Sequence, residues 1–328
     1  MDLSCRAMGK LLIYAAGFGL AGLLLGLLAW SAHLNREAER RFPATGAFIE
    51  VENLRLHYTD SGGGRTIVLV HGANSALQDW ESGVRQTLQR TFRVIAFDRP
   101  GHGYSERHWD RAPTPSEQAR LLRLALRQLG VERPILVGFS WSGSLVMAYG
   151  LDYPDEVAAV VTVAGALYDW PSPIGAIYQL AGWPALGSFL AHAIVPAYAH
   201  AFADELSRDV FAPQPLGDSL GRAPVPLAVR PANFLTNAEE RRILKPFLAL
   251  QKTRYGEFRP PLVILTGTAD RVVSPDIHSR ALARTAPQAE LIEVAGAGHA
   301  LPYTHPQRIV DAVLRAHVRA KAIGRIPY

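Results

Sequence analysis

Residues 134–143 read PILVGFSWSG, and this stretch decides the fold. The run from Ile135 to Phe139 is apolar without alternation, as a strand buried on both faces requires. It passes directly into Ser140 and then into WSGSLVMAYGL (141–151), which reads as a helix. A serine between a buried strand and a helix sits on a tight turn, with its hydroxyl held out at the edge of the sheet. Small residues are needed on both sides because strand and helix pass closely. Gly138 and Gly143 meet that need. The G-x-S-x-G pattern is broken at one place, where Ser142 stands for the second glycine. Ser140 is the candidate nucleophile, and Ser142 and Ser144, placed within the helix, are its competitors.

The same rhythm continues outward in both directions. AFIEVENLRLHYTD (47–60) holds two β-rich runs, TIVLVHG (66–72) is a buried strand, and RVIAFD (93–98) is another. A helix is expected around Asp79–Arg90, and Pro115–Leu129 carries apolar residues at helical spacing up to Gly130. VAAVVTVAG (157–165), PLVILTG (261–267) and AELIEVAG (289–296) supply further strands, with helices near Pro275–Thr285 and from Pro306 onward. Strands alternating with helices predict an α/β class with a mostly parallel sheet covered on both faces. Residues 168–258 break the rhythm. They combine an apolar helical stretch, QLAGWPALGSFLAHAIVPAYA, with a proline-studded one, APQPLGDSLGRAPVPLAVRP. They read as a helical cap inserted over the carboxyl ends of the strands, where open α/β sheets place their sites. An extra packing subdomain is the competing reading.

A serine hydroxyl needs a base at neutral pH. His299 lies in AGAGHALPYTHP, just after the last predicted strand, on a glycine-rich loop. His305, beside Pro306, reads as a helix cap or surface residue. The base in turn needs a carboxylate to fix its tautomer and stabilise the imidazolium. Asp270 ends LTGTAD directly after a strand; Asp169 is the alternative, and Asp276 falls too far into a helix. The order Ser140, Asp270, His299 is that given for the α/β-hydrolase arrangement. Developing negative charge would be met by the backbone N–H of Trp141 and of Ala73, in His71-Gly72-Ala73-Asn74. His71 reads as a structural side chain that holds this loop.

At this point the chain resembles the α/β-hydrolase superfamily over residues 48–318. The resemblance rests on LVHGANSALQDW, FDRPGHGYS, VGFSWSG, TGTADRVVSP and GAGHALPYTHP. It implies an α/β-hydrolase core in two parts, 46–167 and 259–328, interrupted by the 168–258 cap. It also implies an acyl-enzyme route with no metal or organic cofactor. Asp98, Arg99, Gly101, His102 and Gly103 resemble the family's structural turn. Ser140 argues against the aspartate-nucleophile subfamilies. Proline iminopeptidases resemble the chain around Trp141 but carry a glycine-proline-rich oxyanion loop that is absent here. Carbon–carbon bond hydrolases also resemble it, yet usually carry a tryptophan after the histidine, where this chain has Ala300. A carboxylic ester hydrolase of apolar acyl substrates is the expectation. A carbon–carbon hydrolase, a cofactor-free haloperoxidase-like enzyme, and a ligand-binding protein that keeps the fold are the rivals.

Residues 11–30, LLIYAAGFGLAGLLLGLLAW, are uncharged and long enough to span a bilayer. Arg6 and Lys10 precede them, and Trp30 sits where an interfacial aromatic is favoured. A single-pass transmembrane helix is expected after a short tail (1–10), with 31–45 as a polar juxtamembrane linker. A cleaved signal is the competitor, with a weak pattern at Ala29 and Ser31. The leading charges favour a catalytic domain outside the cytoplasm, although Arg36, Arg40 and Arg41 argue the other way. Gly22 and Gly26 form a GxxxG pair, the spacing at which two membrane helices can approach closely. The 328 residues, 48% hydrophobic and 19% charged, provide for a large core. The net charge of +5 is scattered, so nucleic acid is not an expected partner. The single cysteine, Cys5, excludes an intrachain disulfide.

Overall fold

The structure, a computed structural model, describes residues 3–107 and 111–326. The side chains of residues 3–7, Cys5 and Arg6 among them, lie outside the described part.

Eight strands form one sheet: β1 (Ala47–Val51), β2 (Leu54–Ser61), β3 (Thr66–Val70), β4 (Arg93–Phe97), β5 (Ile135–Phe139), β6 (Ala159–Val163), β7 (Leu262–Gly267) and β8 (Ala289–Val294). Their spatial order is β1-β2-β4-β3-β5-β6-β7-β8. β1 pairs antiparallel with β2, and β2 antiparallel with β4; every pairing from β4 to β8 is parallel. The continuous apolar runs are explained by position. β3, β5, β6 and β7 are buried along their whole length, while the edge strand β8 is half-buried and keeps Glu290 and Glu293. Two apolar layers cover the sheet. Leu121, Leu122, Leu145 and Val146 lie in one, and Leu88, Ile309, Val313 and Ala316 in the other.

The chain leaves β3 toward β4 on one side and returns to β5 on the other. The loops after β3 and β5 therefore part at the carboxyl edge of the sheet, the place where such sheets bind ligands. Between β6 and β7 come short helices and one long helix, Pro231–Gln251. This insert is tied to the edge by a buried ion pair and a buried hydrogen bond. Glu240 on the long helix pairs with Arg99 at 2.7 Å and with His102 at 2.8 Å. Burial opposes ionisation of Glu240, but these two partners outweigh it and hold its carboxyl down to about 2. Asp98 receives the N–H groups of Leu77 and Tyr104 and the Nδ1–H of His57. The FDRPGHG turn thus has the structural part expected of it.

Two local expectations differ from what forms. The helix expected over Asp79–Arg90 is a 3-10 turn, Leu77–Glu81, followed by a short helix, Val84–Leu88. Gly83 between them has φ +115°, a conformation that interrupts a helix. The expected linker 31–45 is helical as far as Arg41, continuing one helix from Leu3. SAHLNREAERR is rich in helix formers, and it stops where Pro43 approaches. The far end of this helix is docked on the insert and the edge loops. Ala38 is buried against Ala76 and Leu227, Glu39 pairs with Arg230 at 2.8 Å, and Tyr104 donates to the Phe42 carbonyl at 2.6 Å. Its apolar part is bare, with Leu11, Ile13, Phe18, Leu20 and Leu25 exposed. Among the described residues it is the one unbroken helix long and apolar enough to cross a membrane.

Candidate active site

Ser140 stands directly after β5 with φ +52°, a left-handed conformation that a non-glycine residue adopts only under constraint. Three backbone bonds impose it. Ser140 donates its N–H to Val163 at 2.9 Å, and its carbonyl accepts from Gly143 and Ala166, each at 2.9 Å. The glycines around it are there for space. A Cβ on Gly138 would lie 2.3 Å from the Ser142 carbonyl oxygen, and one on Gly143 would lie 2.7 Å from the Gly165 Cα.

His299 lies beyond β8 on a loop that needs glycine at Gly298, where a Cβ would collide with the Ala212 carbonyl. The His299 Nε2 is 2.9 Å from the Ser140 Oγ, and its Nδ1 is 2.7 Å from the Asp270 Oδ2. With the proton on Nδ1, the ring donates to Asp270 and accepts from the serine hydroxyl. The other Asp270 oxygen, Oδ1, accepts the N–H groups of Val272 and Val273 at 2.8 Å each. The carboxylate is therefore held from both ends. The Phe139 ring lies 5.1 Å from the imidazole ring. Hydroxyl, imidazole and carboxylate form a continuous hydrogen-bonded chain from three loops along one sheet edge.

The two backbone N–H groups named from the sequence flank this chain. A Cβ on Gly72 would lie 3.1 Å from the Ser140 Cβ, so the Gly72-Ala73 backbone passes directly against the serine. Neither the Ala73 N–H nor the Trp141 N–H has a hydrogen-bond partner among the described residues. An arrangement of this kind can activate a hydroxyl and receive a developing oxyanion.

The alternatives lie elsewhere. Asp169 pairs with Lys252 at 2.5 Å, which lowers its carboxyl pKa, and Asp276 pairs with Arg280 at 2.8 Å. Ser144 donates to the Trp141 carbonyl at 2.7 Å. His305 stands before the last helix, beside the Thr304 hydroxyl at 2.9 Å. His71 is fully buried; its Nε2 accepts the Arg99 N–H at 3.0 Å and its Nδ1 donates to the Gly72 carbonyl at 2.8 Å. Burial and the nearby Arg99 push its pKa well below the usual histidine value, so it remains a neutral brace.

Three residues have roles beyond those their sequence positions suggest. Ser142 donates to the His71 carbonyl at 2.5 Å and so ties the serine turn to the Ala73 loop. The missing glycine of the motif was the signal. Asn237, on the long inserted helix, accepts the Asn74 N–H at 3.1 Å with its Oδ1, and its Nδ2 is buried without a partner. Asp79, in the stretch LVHGANSALQDW, is buried and bonded to the loops on both sides of the site. Nothing in local patterning distinguishes Asn237 or Asp79 from other polar positions.

The family described as alpha/beta hydrolase fold matches residues 65–306. The chain is 27% identical over 288 residues to a 2-hydroxy-6-oxononadienedioate/2-hydroxy-6-oxononatrienedioate hydrolase of Paraburkholderia phymatum, covering 83% of this chain and 95% of that one. A hydrolase of the same description from Klebsiella pneumoniae is also 27% identical, with 84% and 97% covered. Among solved structures, a thermophilic esterase from Thermogutta terrifontis superposes with a TM-score of 0.67 at 21% identity, over 84% of this chain and 99% of that one. A membrane phospholipase A superposes with a TM-score of 0.62 at 19% identity, over 96% and 98%.

Proposed function

Since the chain belongs to the alpha/beta hydrolase fold family and is an enzyme of it, we propose that it is a serine hydrolase, held in a membrane by its first helix, that cleaves carboxylic esters of apolar acyl groups. The hydrogen-bonded chain Ser140–His299–Asp270 carries this reading. His299 Nε2 takes the hydroxyl proton as Ser140 Oγ attacks the acyl carbon. Asp270 steadies the imidazolium, and the N–H groups of Ala73 and Trp141 receive the oxyanion. Collapse expels the alcohol, which leaves with the proton from Nε2. Water, deprotonated by the same nitrogen, then attacks the acyl-enzyme and frees the acid.

The apolar substrate follows from the surroundings. The 168–258 insert acts as a cap. Its residues Val210 and Phe211 lie over the loop that follows His299, where Ala300 donates its N–H to Val210 and packs near Phe211 and Tyr303. A bare apolar helix in water is unfavourable, whereas in a bilayer it holds the domain against lipid. Docking of residues 31–41 on the insert would fix that domain's distance from the membrane. The similarity to a membrane phospholipase A extends over 96% of the chain, which fits a membrane-held esterase.

Activity-based labelling followed by a chain-length series tests the reading. A fluorophosphonate probe should label the wild type and not Ser140→Ala, and hydrolysis of p-nitrophenyl esters should favour medium or long acyl chains. Labelling of Ser140→Ala to the wild-type extent would overturn the assignment, and a preference for charged esters would overturn the substrate class. The curated relatives favour a second reading, carbon–carbon bond hydrolysis. It predicts turnover of a 2-hydroxy-6-oxo dienoate with no ester turnover above that of Ser140→Ala.

A further inference from the structure

Asp79 is a buried carboxylate that the reaction outlined above does not use. It lies in the 3-10 turn Leu77–Glu81, is 2% exposed, and pairs with no lysine or arginine among the described residues. Burying an unpaired carboxylate is costly unless hydrogen bonds replace its water. Here the donors come from two loops. Oδ2 accepts the Gly72 N–H at 3.4 Å, and Oδ1 accepts the hydroxyls of Ser75 and of Tyr303, the latter at 2.5 Å. Burial pushes the carboxyl pKa upward, and these donors pull against it.

The identity of the donors matters more than their number. Gly72 immediately precedes Ala73, the oxyanion donor of the reading above, and its backbone passes against Ser140. Tyr303 belongs to the helix Leu301–Thr304, which starts two residues after His299, with the Leu301 N–H returning to the His299 carbonyl at 2.7 Å. One carboxylate therefore joins the loop that offers an oxyanion donor to the loop that offers the base. These loops are 224 residues apart in sequence at the Tyr303 contact. We infer that Asp79 is a positioning residue, which sets the separation of the Ala73 N–H from the His299 imidazole. The inference rests on the hydrolytic reading above.

Asp79→Asn keeps the volume and separates this role from plain packing. Its carbonyl oxygen still receives Ser75 and Tyr303, but its amide N–H then faces the Gly72 N–H and pushes that loop away. Donors aimed at a transition state act on rate rather than on binding. For fluorophosphonate labelling of Ser140 in the full-length protein, kinact should fall about tenfold to hundredfold while KI stays within roughly threefold. Tyr303→Phe should lower kinact in the same direction, and the double variant should lose less than the product of the two. Both variants are measured well below their melting temperatures. An unchanged kinact in Asp79→Asn, or a loss confined to KI, overturns the inference. Should Asp79→Asn fail to fold, Tyr303→Phe carries the same test with the same criteria. A wild type that does not label refutes the hydrolytic reading itself, whereas a wild type and Asp79→Asn that label equally refute only the role of Asp79.

Discussion

Ser142 stands where the motif around the nucleophile has glycine, and its hydroxyl donates to the His71 carbonyl at 2.5 Å in a fully buried position. Ser142→Ala removes the donor, and the cavity left is too small for water to replace it. A buried acceptor that loses its partner costs about 1–3 kcal/mol. For a domain of this size that is roughly 2–4 °C of melting temperature per kcal/mol, so a fall of about 4–8 °C is expected for a mid-range loss. Ser142→Gly should fall further, by about 1 kcal/mol, because glycine in the first turn of the helix adds backbone entropy to the unfolded chain. The His71 carbonyl also adjoins Gly72 and Ala73, so the rate should fall with stability. Thermal unfolding followed by circular dichroism, alongside fluorophosphonate labelling, measures both. A Ser142→Ala protein that melts within 1 °C of wild type, on the scale of about 2–4 °C per kcal/mol, would refute the idea that the serine replaces glycine for this bond.

Gly138→Ala should abolish soluble folded protein or destabilise it by several kcal/mol, since its Cβ would meet the rigid Ser142 carbonyl at 2.3 Å; recovery of a wild-type melting temperature would contradict the geometry. Glu240→Gln leaves the buried Arg99 guanidinium without its anion and should cost about 3–5 kcal/mol, read from denaturant unfolding. His278, whose Nδ1 accepts the N–H groups of Leu167 and Tyr168 at 3.1 Å each, has its pKa lowered by burial to about 4 from 6.5. The unfolded state then binds the proton more readily, so this contribution is complete above pH 6.5 and is lost as pH falls toward about 4. Unfolding free energies measured across that window should decline with acid in the wild type and decline less in His278→Gln; equal slopes would exclude the assignment.

Much of this protein was legible from local rules. A strand buried on both faces must be continuously apolar, and a strand-to-helix turn that passes a neighbour at contact distance must be glycine, so PILVGFSWSG announces its own geometry. The spacing of strands and helices announces a parallel sheet, and twenty uncharged residues announce a span-length helix. Asp270 is preferred to Asp169 in the sequence because it directly follows the penultimate predicted strand, whereas its place beside the histidine loop comes from the pairing of β7 with β8. The tertiary structure alone decided what depends on residues distant in the chain. Residues 31–41 are rich in helix formers, but their place against the domain is set by Ala38, which packs on Ala76 and Leu227, and by Glu39, which pairs with Arg230. Ser142 and Asp79 acquire meaning only from the His71 carbonyl and the Tyr303 hydroxyl, 71 and 224 residues away. A single chain records the steric demands of each residue's neighbours in sequence, but the partner of a buried polar atom is set by which loops the sheet order brings to one edge.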